Sequence, residues 1–430
     1  MKRIVLIAAA GFALLSSIGL GVYLYQRQSG ATKTTATARH LAPKPGAAAS
    51  NSIPPRTEDV PHLVADLGQV QDKIVYGDRS ALADQGRLLA KISSVLRNFP
   101  KKNWEDYENI RSAFVYVLSG GDYGVLQPLI ESGVLSEADK TLAEGIGLYA
   151  RGQSSAARKI LLDIDPRSLD VSLVGPFALA RASFYIGHDN KKAIEFLDEA
   201  RLAAPHTAIE EAAVRREIAL LVEAGDRPRA VMLMADYVRR FGKSIYAWKL
   251  FQDFATALAK QDDQDGSGVV EDLASTTTTA DKNARTKLFL NLAGEALLYG
   301  KIVLAKAAAK ATLHLKPESQ IDVDKATLYE AAASAPTANA ERALKTLNGL
   351  AGDHLSDDDS EIHEVADYIA RTVSGDDIKA DAKPGVRPIG PAADAKRSAS
   401  SLALPRVAGA IESADAALKH ADMLISRNEQ

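Results

Sequence analysis

The chain has 430 residues, no cysteine, and 52 Lys plus Arg against 55 Asp plus Glu, a formal net charge of −3. That balance leaves no overall field to gather nucleic acid or a membrane surface, so the expected partner is a protein; the missing cysteine excludes disulfides, thiol catalysis and Cys-ligated metal centres. Aromatic residues are only 6% of the chain while alanine is abundant, which suits close-packed helix pairs better than a β-sandwich.

Met1, Lys2 and Arg3 form a basic start, and residues 4–25 carry no charge before Gln26 and Arg27. Such a run is close to the ~20 residues that cross a bilayer and longer than the ~7–15 of a secretory apolar region. Residues 1–28 therefore read as a signal peptide or a membrane anchor, with the remainder exported under the positive-inside bias. The small-residue triplet Ala36, Thr37 and Ala38 lies about ten residues beyond the apolar run, where a peptidase rarely reaches, so cleavage and retention both stay open. Residues 29–61 are rich in Ala, Thr, Pro and Ser; they bury too little surface to offset ordering and form a tether with a reach of roughly 30 Å.

Residues 62–375 are expected to be helical throughout. Leu63, Leu67, Val70 and Ile74 share a stripe, residues 76–80 form a turn with Ser80 as the expected N-cap, and Leu88, Ile92, Val95 and Phe99 make a second stripe before Pro100. The wording of this hairpin, from His62 through Tyr76-Gly77-Asp78-Arg79 to Leu89, resembles the start of the folded region in the MotC family, the periplasmic motility proteins of rhizobium-like bacteria. The likeness is clearest over residues 63–89 and thins to general helical-repeat character by about Pro317. It implies a periplasmic protein that binds the periplasmic part of the MotB stator subunit and is needed for flagellar rotation; the expectation of no enzyme activity, cofactor or metal comes separately, from the residue patterns. The resemblance carries no motif of functional residues.

Further along, Trp104, Tyr107, Ile110, Phe114 and Val117 form one predicted stripe, and Val125, Leu126, Leu129 and Ile130 a short helix closing at Gly133. Residues 141–205 hold two hairpins of one design. The first runs Leu142, Ile146, Tyr149, Gly152, Ala157, Leu161; the second runs Ala178, Ala182, Tyr185, Gly187, Ala193, Leu197. An aromatic residue ends one run, a glycine follows, and an alanine opens the next, as a left-handed C-cap and a close helix crossing require. The pattern returns at Gly225 with Ala230 and at Gly300 with Ala305. Glycine separations of 35, 38 and 75 fall near one, one and two periods of the ~34-residue tetratricopeptide repeat. The expected fold is an all-α, tetratricopeptide-like helical-repeat solenoid.

Residues 244–259, with Ile245, Trp248, Phe251, Phe254 and Leu258, are predicted to pack between neighbours on both sides, with a partner groove as the competing reading. Periodicity lapses over residues 261–281, a loop or repeat boundary, and resumes over 288–317 around Leu292, Leu297, Ala305, Ala309 and Leu313. Helices are expected at 323–334, 338–350 and 361–373. Residues 376–405 read as a linker. In residues 406–428, Val407, Ile411, Ala414, Leu418, Ala421 and Ile425 recur at heptad spacing. Such a helix either caps the repeats or binds a partner or a second copy, and the long linker favours the latter.

Catalytic patterns fail on inspection. His354, Asp357, Asp358, Asp359, Glu361 and His363 cluster in sequence and contain types that hold divalent ions, but a solvated acidic turn explains them, and His363-Glu364 lacks the second histidine of a zinc helix. Around Asp263, Asp265 and Gly266 a calcium loop would need acids where Gln261 stands and a bidentate glutamate where Asp272 stands. Gly294 and Gly300-Lys301 are spaced one residue too widely for a phosphate loop and sit in a helical pattern. The reading is a binding module, with Arg181, Tyr185, Arg215 and Arg239 as solvent-side candidates for partner contact, against a satisfied surface or core role as the favoured alternative for each. Competing readings are an envelope scaffold or chaperone in secretion or cell-wall assembly, and a metal-dependent hydrolase built on His354 and His363.

Overall fold

The computed structural model describes residues 59–261, 266–350 and 355–375. These contain seventeen α-helices, three 3-10 turns and no strand, and fall into two compact units, one up to Leu220 and one from Leu221. The leader, the tether up to residue 58, the linker and the C-terminal helix expected from sequence lie outside the described residues; the expected tether end at residue 61 is corrected, because Val60 and Pro61 already belong to the first helix and Val60 is buried. Among the described residues no helix is long and apolar enough to cross a membrane.

The first unit opens with the predicted hairpin, α1 (Val60–Val75) on α2 (Ala81–Arg97). Leu63, Leu67 and Ile74 from one helix and Ile92 and Leu96 from the other are buried. The expected cap is corrected: the Ser80 side chain caps no backbone group. Instead, Asp78 Oδ1 accepts from the Ser80 amide at 2.9 Å and from its hydroxyl at 2.6 Å, an Asx-type turn that does the same work one step earlier. The stripe predicted from Trp104 onward is also broken in two. Trp104 sits in a 3-10 turn (Lys101–Glu105), fully buried and edge-on to Phe99 at 4.7 Å. Asp106 then accepts from the Glu108 amide and starts α3 (Tyr107–Leu118), leaving Tyr107 exposed.

Next come α4 (Leu126–Ser132), α5 (Glu137–Ala150), α6 (Ser154–Leu161), α7 (Val171–Ser183) and α8 (Asn190–Ala203). The two hairpins of like design are α5 on α6 and α7 on α8. Gly152 and Gly187 adopt φ of 79° and 81°, and Gly225 and Gly300 repeat this at 75° and 69°, so all four glycines predicted as helix stops stand in the left-handed region that other residues resist.

After α9 (Ala208–Glu223), the second unit contains α10 (Arg227–Phe241), α11 (Ala247–Lys260), α12 (Ser267–Thr276), α13 (Lys282–Leu298), α14 (Ile302–His314), α15 (Gln320–Ser334), α16 (Ala340–Asn348) and α17 (Asp357–Ser374). Its order is regular: α11, α13, α15 and α17 pack successively in one row, and α10, α12 and α14 in another. Helix α12 corrects the expected lapse over residues 261–281. Ten residues long, it buries only Val269, Val270 and Leu273, too few apolar positions for its period to stand out from the threonine run that follows. Polar ties cross the first row. Thr256 donates to Glu295 at 2.8 Å, Lys287 pairs with Asp322 at 2.7 Å, and Lys325 with Asp359 at 2.6 Å.

Candidate functional site

Asp359, read from sequence as part of a solvated acidic turn, is instead buried, with 2% of its surface exposed. It begins α17, where Ser356 caps the helix and donates to it, and it receives the Tyr329 hydroxyl and the Lys325 ammonium from α15. Burial alone would raise this carboxyl; the bonds from Lys325, Ser356 and Tyr329 outweigh it and hold the group below the usual carboxylate range. The Tyr329 phenol moves well upward, through burial first and then the Asp359 charge. His363 places Nε2 3.0 Å from the Leu347 carbonyl, and burial with Asp358 and Glu364 nearby raises Glu361. These side chains are thus divided among structural contacts rather than turned onto one point. His354 lies outside the described residues, and among the described residues no group of three or more His, Asp or Glu could hold a metal ion.

The four candidate partner contacts fare unequally. Tyr185 is buried at 8% exposure and stacks on Phe196 at 5.6 Å. Arg181 lies over the Phe196 ring at 4.4 Å and the Phe177 ring at 5.5 Å. Arg215 is held against buried Glu211 at 3.1 Å. Tyr185 and Arg181 tie the end of α7 to Phe196 of α8, whereas Arg215 pairs within its own helix, residues 208–223; all three take the satisfied structural role set against partner contact in the sequence reading, and their solvent-side placement is corrected. Arg239 alone stays at an open surface, donating to Asp236 at 3.0 Å and to the Thr276 carbonyl at 2.9 Å.

Arg239 marks the edge of a groove between α10 and α12. Val231, Met232, Ala235 and Val269 line it, and it encloses about 480 Å³. Met232 is 61% exposed there. A larger groove of about 800 Å³ runs between α12 and α14, over the Phe289 ring of α13. Periodicity alone did not flag either groove, because apolar residues on a second helix face read as core. The lysines at i and i+4 of α14, Lys306 and Lys310, were the available sign that this face meets water. On α11, Phe251, Phe254 and Leu258 are buried as predicted, but Trp248 is 56% exposed. That helix therefore packs with part of its apolar load left outside.

Packed helical hairpins with open, partly apolar grooves define an all-α protein whose accessible surface is suited to holding another helix or chain segment. The family model described as "Chemotaxis protein MotC" matches residues 24–430, and the chain belongs to that family. A curated relative, chemotaxis protein MotC of Rhizobium meliloti (strain 1021), is 28% identical over 313 residues, covering 72% of this chain and 71% of its own. The resemblance read over residues 63–89 therefore extends well beyond that hairpin, and family membership implies a chemotaxis or motility role.

Proposed function

We propose that this protein is a non-enzymatic, periplasmic helical-repeat solenoid that binds the periplasmic part of the MotB stator subunit and is required for flagellar rotation. Membership in the MotC family carries this reading. The two-row helix order of the second unit supports the repeat architecture, because stacked helix pairs expose a long surface while each pair contacts only its neighbours. The groove between α10 and α12 is the contact surface of choice: exposed Met232 supplies an adaptable apolar anchor beside the cationic edge at Arg239.

Deletion of the gene tests the function. Cells should keep a normal count of flagella by microscopy and lose their rotation, and the full-length protein should capture the MotB periplasmic domain in a pull-down. Met232→Asp should weaken that capture at least about tenfold, as loss of a buried anchor does, with the circular dichroism spectrum unchanged. Normal swimming in the deleted strain would sink the motility reading and leave a general envelope scaffold in its place.

A further inference from the structure

The groove between α12 and α14 differs from its neighbour in size and charge. Its accessible apolar surface is a stripe of α14, on which Val303 is 51% exposed and Ala307, Ala311 and Leu315 follow at every fourth position, half-buried. Lys306, Lys310 and His314 run beside that stripe at successive turns, spanning about 12 Å. Glu271, on α12, is the acid of the opposite wall.

Arg285 of α13 completes the cationic side. It lines the same groove, half-buried, and donates from Nη2 to the Ala274 carbonyl of α12 at 3.3 Å. Its Nε is buried and meets no acceptor among the described residues. Among those residues no carboxylate pairs with Arg285, Lys306, Lys310 or His314, and burial lowers the Arg285 pKa with no neighbouring charge to offset it. Arg111, Arg201 and Arg371 are half-buried to a like degree, and each holds an acid, Asp170 at 3.2 Å, Glu217 at 3.2 Å and Asp367 at 2.7 Å. Because α13 and α14 form a hairpin with a short turn, Arg285 near the start of one lies toward the His314 end of the other. A guanidinium that has given up part of its hydration without gaining a counter-ion is prepared for a carboxylate, whose two oxygens match its fork.

We infer that the groove between α12 and α14 binds an amphipathic helix of a partner protein, its apolar seam on Val303, Ala307 and Ala311, its acidic flank facing Lys306 and Lys310, and one carboxylate held by Arg285. Charge selects this occupant. A basic or neutral helix leaves Arg285 and the α14 lysines unmatched, whereas acids at i and i+4 of a helix repeat at about 6 Å, the spacing of Lys306 and Lys310. The two alanines let a second helix axis approach to about 8–10 Å. Glu271 repels acids from the α12 wall and so decides which flank faces α14. The covered stretch, Val303 to Leu315, is about 18 Å long. None of this rests on the stator contact at the groove between α10 and α12, and a failed capture of MotB leaves it standing.

Fluorescence anisotropy with the full-length protein tests this. The probes are two labelled helical peptides of about eighteen residues, long enough to hold a helix, which share a leucine seam and carry either glutamate or lysine along one flank. The glutamate probe should bind at least about tenfold more tightly than the lysine probe. Arg285→Ala should weaken it about tenfold, and Lys306→Glu with Lys310→Glu should do the same while improving the lysine probe. Val303→Asp, at an exposed position, should also weaken the glutamate probe; it and the lysine variant keep the test decisive should Arg285→Ala disturb packing. Equal affinity for the two probes, no binding of either, or binding of the glutamate probe that survives the α14 variants overturns the proposal. So does self-association of the unlabelled protein in sedimentation that Lys310→Glu abolishes, which would make a second copy the occupant.

Discussion

Two helices of the second unit are fastened at Asp359. Its carboxylate is shielded from water, and the Lys325 ammonium lies 2.6 Å away with 28% of its side chain exposed. Removing one partner of a buried pair costs about 3–5 kcal/mol, and the partial exposure of Lys325 lowers the expectation for Asp359→Asn to about 2 kcal/mol at neutral pH, read by urea unfolding. The pH dependence has a definite sign. Since the folded-state carboxyl titrates below its ordinary value, its contribution is complete above about pH 4, the unfolded-state range. It is lost as pH falls through the lower folded value. The gap between wild type and Asp359→Asn should therefore narrow in unfolding curves measured near pH 3; a gap of constant size would show that the carboxylate's charge is not what holds the helices.

At the scale of the element, one substitution should have opposite effects in two settings. Gly225 has a φ of 75°, and alanine there must adopt a conformation that costs about 1–2 kcal/mol. Gly86 lies inside α2 with nothing within 4 Å of an added Cβ, so alanine should stabilise by about 0.5–1 kcal/mol through reduced freedom of the unfolded chain. Thermal melts of Gly225→Ala and Gly86→Ala check both. The same contrast explains what the sequence disclosed. A helix stop at Gly152 or Gly187 is a local backbone requirement, visible in residue type and spacing. The packing of Tyr185 on Phe196, or of Arg181 over two rings, depends on which helix comes alongside, and no local pattern carries that. Helix α12 was hidden for a related reason: its three buried residues acquire meaning only against α10 and α14. Of the candidate surface, Arg239 was legible and the trough beside it was not, since a trough exists only between helices.

For the whole molecule, the proposed periplasmic placement makes a simple prediction. A β-lactamase domain fused after Pro61 should protect cells from ampicillin, and the same fusion without residues 4–25 should not; protection by both would remove the apolar run as the export element. The even charge balance, with a net of −3, predicts in turn no retention on DNA in a gel-shift assay at physiological salt.

Trp104 is sealed in the first unit and Trp248 stands open on the second, and the chain holds no other tryptophan. The native protein is consequently a two-colour optical sensor without any label. Iodide should extinguish the redder emission of Trp248 and spare the bluer emission of Trp104. Recovery from quenching would then register a molecule arriving on the second unit, while a red shift of the protected component would register the first unit coming apart.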